Sequence, residues 1–320
     1  MGSSRYLGAN LNRAPIRKPL RIRPGDVVGV IAPAGAVDGE RLRAGVAVLG
    51  GWGLRVQVGS AVLKRHAYLA GSDEERLADL VRMIEDPRVR AIFCARGGYG
   101  SQRLLPRLDL ARLMYEPKAI IGYSDATALL GAAVEAGVLA VHGPMVADDM
   151  ARGLSERSAT HLQTLLTDPA WRWEAEAPIT IRPGRATGRL VGGCLAVLAA
   201  VLGTPWAPDT DGTILFLEDV AERPYRLDRL LTQLRQAGKL ERLAGLVFGT
   251  MEACPPVDGV GPLDVVRACV GDLPCPIAFG LPSGHAPGGA RAENLALPFG
   301  VEVALDAERG RLSALEAAVV

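Results

Sequence analysis

Apolar positions in the first half of the chain fall in short continuous runs separated by polar, periodic stretches. Val27 to Ala32 is such a run and ends in Ala32-Pro33-Ala34-Gly35, so it reads as a buried strand leaving into a tight turn. Glu40 to Leu49 has helical character, and Leu54 to Val58 reads as a strand. Ser72 and Glu75 stand at capping-box spacing, with Leu77, Leu80, Val81 and Ile84 on one face of the helix they open. Val89 to Cys94 is a strand running into Arg96-Gly97-Gly98-Tyr99-Gly100. Ala119 to Gly122 (strand), Ala126 to Ala136 (helix) and Val138 to Val141 (strand) follow. Strand and helix alternate over about residues 26–145, which predicts a parallel sheet covered by helices, with ligands at the carboxyl ends of its strands.

The pattern changes after that. Residues 151–185 hold a helical stretch and then Trp171, Trp173, Pro178 and Pro183, and read as a linker between an N-terminal domain at 22–150 and a C-terminal domain at 186–320. The second domain shows a strand near Arg189, a helix over Cys194 to Leu202, and a strand over Ile214 to Leu217 that ends at Glu218. Pro224 opens a helix whose buried stripe is Leu227, Leu230, Leu231 and Leu234. Leu246 to Phe248, Ile277 to Phe279, Glu293 to Leu297 and Val301 to Leu305 read as further strands.

Composition narrows the function. A chain of 320 residues with 49% hydrophobic and 22% charged residues is globular and long enough for about two domains. A net charge of +1 gives no field to gather nucleic acid or an anionic membrane. The basic N-terminal segment (Arg5, Arg13, Arg17, Lys18, Arg21, Arg23) reads as a solvated, partly disordered tail. It lacks the apolar core of a secretory signal, and no run approaches the length of a membrane span. The five cysteines are scattered, and no two stand at Cys-x-x-Cys spacing. A soluble protein of a reducing compartment, with no metal or cofactor indicated, is the expectation.

The clearest chemical signal is Ile121-Gly122-Tyr123-Ser124-Asp125-Ala126. It approximates the G-x-S-x-G elbow that lifts a serine hydroxyl above a sheet, with Ala126 in the last glycine's place. Ser-Asp before a helix is also an ordinary N-cap. A catalytic serine needs a base, and four histidines are available. His161 reads as surface, His66 as a loop residue, and His142 as either lining the sheet edge or closing a buried hydrogen bond. His285, in the Pro/Gly-rich loop Leu281 to Gly289, is the better base candidate. Glu218 at a strand end could orient an imidazole or pair with Arg223 or Arg226; Asp219 would point the other way. The glycine loop at 97–100 lacks a Walker lysine and fits an oxyanion-hole donor better than a phosphate cradle.

In order, Ile31-Ala32-Pro33-Ala34-Gly35, Ala95-Arg96-Gly97-Gly98-Tyr99-Gly100, Ile121-Gly122-Tyr123-Ser124-Asp125, His142-Gly143-Pro144, Phe216-Leu217-Glu218-Asp219-Val220, Pro224-Tyr225-Arg226-Leu227-Asp228-Arg229 and Gly284-His285 resemble the LD-carboxypeptidase family of serine peptidases. The resemblance covers about residues 24–310. It implies Ser124 as nucleophile, Glu218 as acid and His285 as base, with an oxyanion hole from the N–H groups of Gly98 and Asp125. It implies an N-terminal parallel α/β sheet of flavodoxin-like or class I glutamine amidotransferase-like type, a smaller mixed α/β C-terminal domain, and a homodimer. The implied substrate is a murein tetrapeptide that loses its terminal D-Ala during wall recycling. Arg96, Gly97, Tyr123 and Arg223 are candidates for substrate contact. Relatives often carry Asn within the Gly-Gly segment where this chain has Gly192-Gly193-Cys194. Two other readings are a microcin-immunity type hydrolase of peptidyl nucleotides and a non-enzymatic peptide-binding module.

Overall fold

A computed structural model describes residues 15–286 and 293–320. The first half carries β1 (Val27–Ile31), α1 (Gly39–Gly51), β2 (Arg55–Val58), α2 (Asp73–Glu85), β3 (Val89–Cys94), β4 (Ala119–Gly122), α3 (Thr127–Glu135) and β5 (Ala140–His142). There follow α4 (Glu156–Thr167), β6 (Glu174–Glu176), β7 (Ile179–Arg182), β8 (Arg185–Cys194), α5 (Leu195–Ala200), β9 (Ile214–Val220), α6 (Pro224–Gln236), β10 (Gly245–Glu252), α7 (Pro262–Val270) and β11 (Ile277–Phe279). The chain ends in β12 (Leu297–Phe299), β13 (Glu302–Asp306) and β14 (Arg311–Ala314).

Two sheets result. The first has the order β2-β1-β3-β4-β5-β12, and its first five strands are parallel. β1, β3 and β4 are almost wholly buried, which is why they appear in the sequence as unbroken apolar runs rather than alternating ones. The sixth strand was not expected there. Glu293 to Leu297 is not a strand, and the strand that does form, β12, runs antiparallel beside β5 with Leu297 opposite His142. Its Pro298 lacks an N–H and is tolerated at this edge. The segment that follows the His285 loop is thereby anchored to the nucleophile sheet.

The second sheet is mixed and has the order β6-β14-β13-β8-β9-β10-β11-β7, with β8, β9, β10 and β11 parallel to one another. The 151–185 stretch supplies α4 and both terminal strands of this sheet, β6 and β7. On α6 the buried residues are Pro224, Leu227, Leu231 and Leu234, while Leu230 is half-buried.

Two further readings change. The face of α2 turned inward is Arg76, Asp79, Leu80, Met83 and Ile84, while Leu77 and Val81 are only half-buried. Polar residues displace apolar ones there because loop backbones need partners: Asp79 accepts from Ser60 N at 3.0 Å and Ala61 N at 2.7 Å. Met83 lies on Gly29 of β1, where a methyl group would come within 2.8 Å of its Sδ. The basic segment is no free tail from residue 15 on. Arg17 N–H donates to Gly137 O (2.8 Å), Ile22 is buried, Arg21 N–H donates to Val320 O (2.9 Å), and Lys18 pairs with Glu316 at 2.6 Å. Arg5 and Arg13 lie outside the described residues.

Candidate active site

Ser124 stands two residues after the end of β4 and has φ +59°, one of few non-glycine residues in the left-handed region among the described residues. That strained turn is the elbow read from the sequence, since a sharp reversal between strand and helix needs a residue there. Its neighbours must be small: a methyl group on Gly122 would lie 2.9 Å from Cys94 Cβ and 3.1 Å from Ala126 Cβ. Because Gly122 gives way, alanine is small enough at 126. One 3₁₀ turn, Ser124–Ala126, then leads into α3. Ser124 makes no side-chain capping bond to this helix start, so the N-cap reading of Ser-Asp does not hold.

The glycine loop lies against the serine. A methyl group on Gly97 would stand 2.8 Å from Ser124 Cβ and 2.9 Å from its Oγ. Gly98 has φ +109°, a conformation that glycine adopts freely. Asp125 turns its carboxylate into the loop's far end, accepting from Ser101 N at 2.8 Å, and Ser101 Oγ donates back to Asp125 O at 2.5 Å. Gly97 O accepts from Gly35 N at 3.0 Å, so the turn after β1 braces the loop from the other side. Arg96 is exposed and spends one guanidinium nitrogen on Ala36 O at 2.7 Å. Gly97 has an ordinary φ, so space alone forbids a side chain there. Gly97→Ala is expected to keep the fold and lower kcat by at least about a hundredfold, the usual effect of a misplaced reacting group; circular dichroism beside a turnover assay checks both halves.

Glu218 lies in β9 with no solvent exposure, one strand over from Cys194 of β8. Its Oε2 accepts from both the backbone N–H (3.0 Å) and Nδ1 (2.7 Å) of His285. Gly284 makes the approach possible: with φ +110°, any side chain there would fall 2.6 Å from that same Oε2. Arg226 pairs with Glu222 instead, and Arg223 is exposed, so the ion-pair alternative for Glu218 is set aside. Asp219 does point the other way, accepting from Ala196 N at 2.9 Å at the start of α5. Burial raises Asp219 to about 6.

The electrostatics of the pair follow from this contact. Burial pushes His285 down, but the hydrogen bond and charge of Glu218 outweigh it, and the imidazole sits above its ordinary value. Burial pushes Glu218 up, and the hydrogen bond and charge of His285 bring it below its ordinary value. With Nδ1 committed to Glu218, Nε2 is the nitrogen left to exchange a proton. Among the described residues it makes no hydrogen bond to Ser124 Oγ.

Serine and histidine nevertheless belong to one cluster. The Tyr123 ring, one residue before Ser124, meets the His285 ring edge-on at 4.8 Å between centroids. On the opposite side Cys194 N–H donates to Thr127 Oγ1 at 3.0 Å, three residues after the serine, and Cys194 stands opposite Glu218 in the sheet. Contacts thus run from the elbow to β8, β9, His285 and back to the elbow, joining the two sheets. Tyr123 is 1% exposed and its hydroxyl donates to Asp149 Oδ1 at 3.2 Å, so its side chain packs behind the imidazole rather than facing a ligand.

The other histidines separate clearly. His66 is exposed. His161 is buried, not on the surface: it bonds Ala296 O at 2.9 Å, packs on Trp171 and Trp173, and burial holds it down at about 4. His142 is fully buried among Tyr123, Phe216 and Phe299, has no hydrogen bond on either nitrogen, and burial lowers it to about 4. It thus does border the sheet's carboxyl edge, and closes no buried hydrogen bond. The residues Pro287 to Gly289 of the histidine loop lie outside the described residues.

Sequence reasoning did not single out Asp149, Arg76 or Asn294. Asn294 Oδ1 accepts from Gly284 N at 3.0 Å and so fixes the histidine loop; its position three residues before β12 carries no local signal. Among the described residues no helix is long and apolar enough to cross a membrane, and no group of three or more potential metal ligands forms.

Comparison with known proteins gives a consistent result. Residues 28–143 match the LD-carboxypeptidase N-terminal domain, and residues 187–305 match the LD-carboxypeptidase C-terminal domain. The chain is 37% identical to the Bacillus subtilis protein named probable murein peptide carboxypeptidase, over 90% of this chain and 91% of that one. It is 35% identical to the murein tetrapeptide carboxypeptidase of Pseudomonas aeruginosa, over 89% and 94%. It is 27% identical to the microcin C7 self-immunity protein of Escherichia coli, over 91% and 94%. The crystal structure of muramoyltetrapeptide carboxypeptidase from Oxalobacter formigenes superposes with a TM-score of 0.81 at 32% identity, covering 90% of this chain and 97% of that one. With both domain types present in order and identities above 30% over almost its full length, this chain belongs to the LD-carboxypeptidase family.

Proposed function

We propose that the protein removes the terminal D-Ala from murein tetrapeptides by cutting the L,D bond after diaminopimelate, with Ser124 as nucleophile, His285 as base and Glu218 as the carboxylate that orients it. The observation that carries this reading is the buried Glu218 holding His285 through Nδ1 at 2.7 Å, with the imidazole edge-on to the residue that precedes the strained Ser124. His285 Nε2 takes the Ser124 proton as Oγ attacks the carbonyl. The N–H groups of Gly98 and Asp125 meet the oxyanion; each such donor is worth about 3 kcal/mol in comparable sites. The imidazolium then gives its proton to the departing D-Ala nitrogen as the C–N bond breaks, and water resolves the acyl-enzyme by the same route.

Arg96 and Arg223, both exposed and without an acidic partner among the described residues, are the candidates for the substrate's terminal carboxylate. Gly97 contributes by leaving room beside Oγ. We assign the N-terminal sheet to the flavodoxin-like type shared by class I glutamine amidotransferases. Its parallel strands run in the order 2-1-3-4-5, and the elbow leaves β4 at the carboxyl edge where such sheets bind ligands. A cytoplasmic homodimer goes with the family resemblance, and sedimentation of the purified protein tests the dimer.

The deciding assay offers the free tetrapeptide and a peptidyl-adenylate analogue separately and reads D-Ala or the free nucleotide by mass spectrometry. Turnover of the tetrapeptide at least about a hundredfold better, in kcat/KM, supports the murein reading; the reverse preference moves the protein to the immunity-type activity.

A further inference from the structure

Arg76 is the largest side chain with almost no solvent exposure, at 1%. A guanidinium is costly to bury, and its contacts indicate what it serves. Nη1 donates to two backbone carbonyls, Pro33 O and Gly100 O, the latter at 3.0 Å, and Nη2 pairs with Asp73. Pro33 lies in the turn that leaves β1, and Gly100 in the glycine loop that leaves β3. These are the two strand exits that press against each other at Gly35 and Gly97–Gly98, where Gly35 N bonds Gly97 O and a methyl group on Gly98 would meet Gly35 Cα at 3.2 Å.

The loop needs such a clamp. Gly98 and Gly100 have φ +109° and +131°, backbone that glycine enters and leaves easily. Gly97 is tied by Gly35, and Ser101 by Asp125; between them Gly100 O takes a local turn bond from Arg103 N at 3.2 Å, which leaves the Gly98 to Gly100 stretch to be tied to the neighbouring strand exit at Pro33. Arg76 supplies that point, and Gly100 could carry no side chain because a Cβ would lie 2.8 Å from Nη1. Lysine, with a single nitrogen, cannot reproduce a planar fork that reaches two carbonyls and a carboxylate together.

We propose that Arg76 is a positioning residue for catalysis: by joining Pro33 O to Gly100 O it holds the Gly98 N–H in line with the oxyanion. This rests on the oxyanion-hole role given to Gly98 above. It predicts a defect confined to the chemical step, because the side chain reaches no solvent and touches no substrate.

The test compares Arg76→Lys, Arg76→Ala and Arg103→Ala in the full-length protein, with unfolding midpoints measured alongside. Arg103 shares Asp73 with Arg76 at 2.8 Å, but its side chain is half-exposed and bonds neither Pro33 O nor Gly100 O; its backbone N–H donates to Gly100 O at 3.2 Å, a bond that Arg103→Ala leaves in place. Both Arg76 variants are expected to lower kcat on the order of a hundredfold with KM within about threefold, as for a lost oxyanion donor. Millimolar guanidinium is expected to restore at least about tenfold of kcat to Arg76→Ala, and Arg103→Ala is expected to behave as wild type. If neither Arg76 variant folds, Asp73→Asn loosens the same guanidinium and is expected to lower kcat with KM unchanged. The inference is overturned if folded Arg76 variants keep kcat within about threefold of wild type, if kcat and KM change together, or if Asp73→Asn alone folds and leaves kcat unchanged. Failure of the serine mechanism itself is separate: it would appear as wild-type activity surviving Ser124→Ala.

Discussion

Ser124→Ala is expected to lower kcat for D-Ala release by roughly 10⁴-fold or more while leaving the fold intact, because the hydroxyl is the only group asked to form the covalent intermediate. A second result separates chemistry from strain. Ser124 holds φ +59°, which costs a residue with a Cβ about 1 kcal/mol or more and costs glycine nothing. Ser124→Gly is therefore expected to be as inactive as Ser124→Ala but more stable than it by about 1 kcal/mol, read from urea unfolding. Its extra room presents no difficulty, since Gly97 and Ala126 keep their own packing. Near-normal turnover in either variant would end the serine mechanism. Equal stability of the two would mean that the elbow is not strained as its backbone indicates.

What could be read from the chain and what could not follows the range of the interactions. The elbow was legible because its requirements are local: a strand, a glycine two residues before Ser124 and a small residue two after it. β1, β3 and β4 were legible because burial on both faces leaves an unmistakable run of apolar residues. The pairing of β12 with β5 was not, because Leu297 and His142 are distant in sequence and a three-residue strand has no period to detect. The N-terminal segment looked like a tail because its arginines are conspicuous and its partners, Gly137, Leu166 and Val320, lie far along the chain. His161 looked exposed because its neighbours in sequence are polar, yet the two tryptophans that cover it come from the next segment. Arg76 was hidden for a related reason. A charged residue on a helix reads as solvent-facing, and nothing nearby reveals that two loop carbonyls wait for it.

Glu218→Gln tests how the imidazole is set, and its pH dependence has a definite sign. Neutral His285 accepts the serine proton, so kcat/KM should rise with pH through the His285 pKa. Glu218 places that inflection above an ordinary histidine, since its hydrogen bond and charge favour the imidazolium more than burial opposes it. Removing the charge leaves burial dominant, the condition of His142, which is buried without a carboxylate bond and falls to about 4. The acid limb of the variant should therefore move to lower pH. The level should drop on the order of 10³- to 10⁴-fold, because an amide no longer stabilises the imidazolium or enforces the tautomer. Asp219 complicates the profile, since burial brings it to about 6, where it too could shape an acid limb. Its oxygens, however, are spent on Ala196 N and Val220 N, away from the imidazole ring. Asp219→Asn should then move the limb only slightly downward, through the loss of a neighbouring charge, and leave the plateau close to wild type. A limb that follows Asp219 and ignores Glu218 would mean that the titration governing activity is not that of His285.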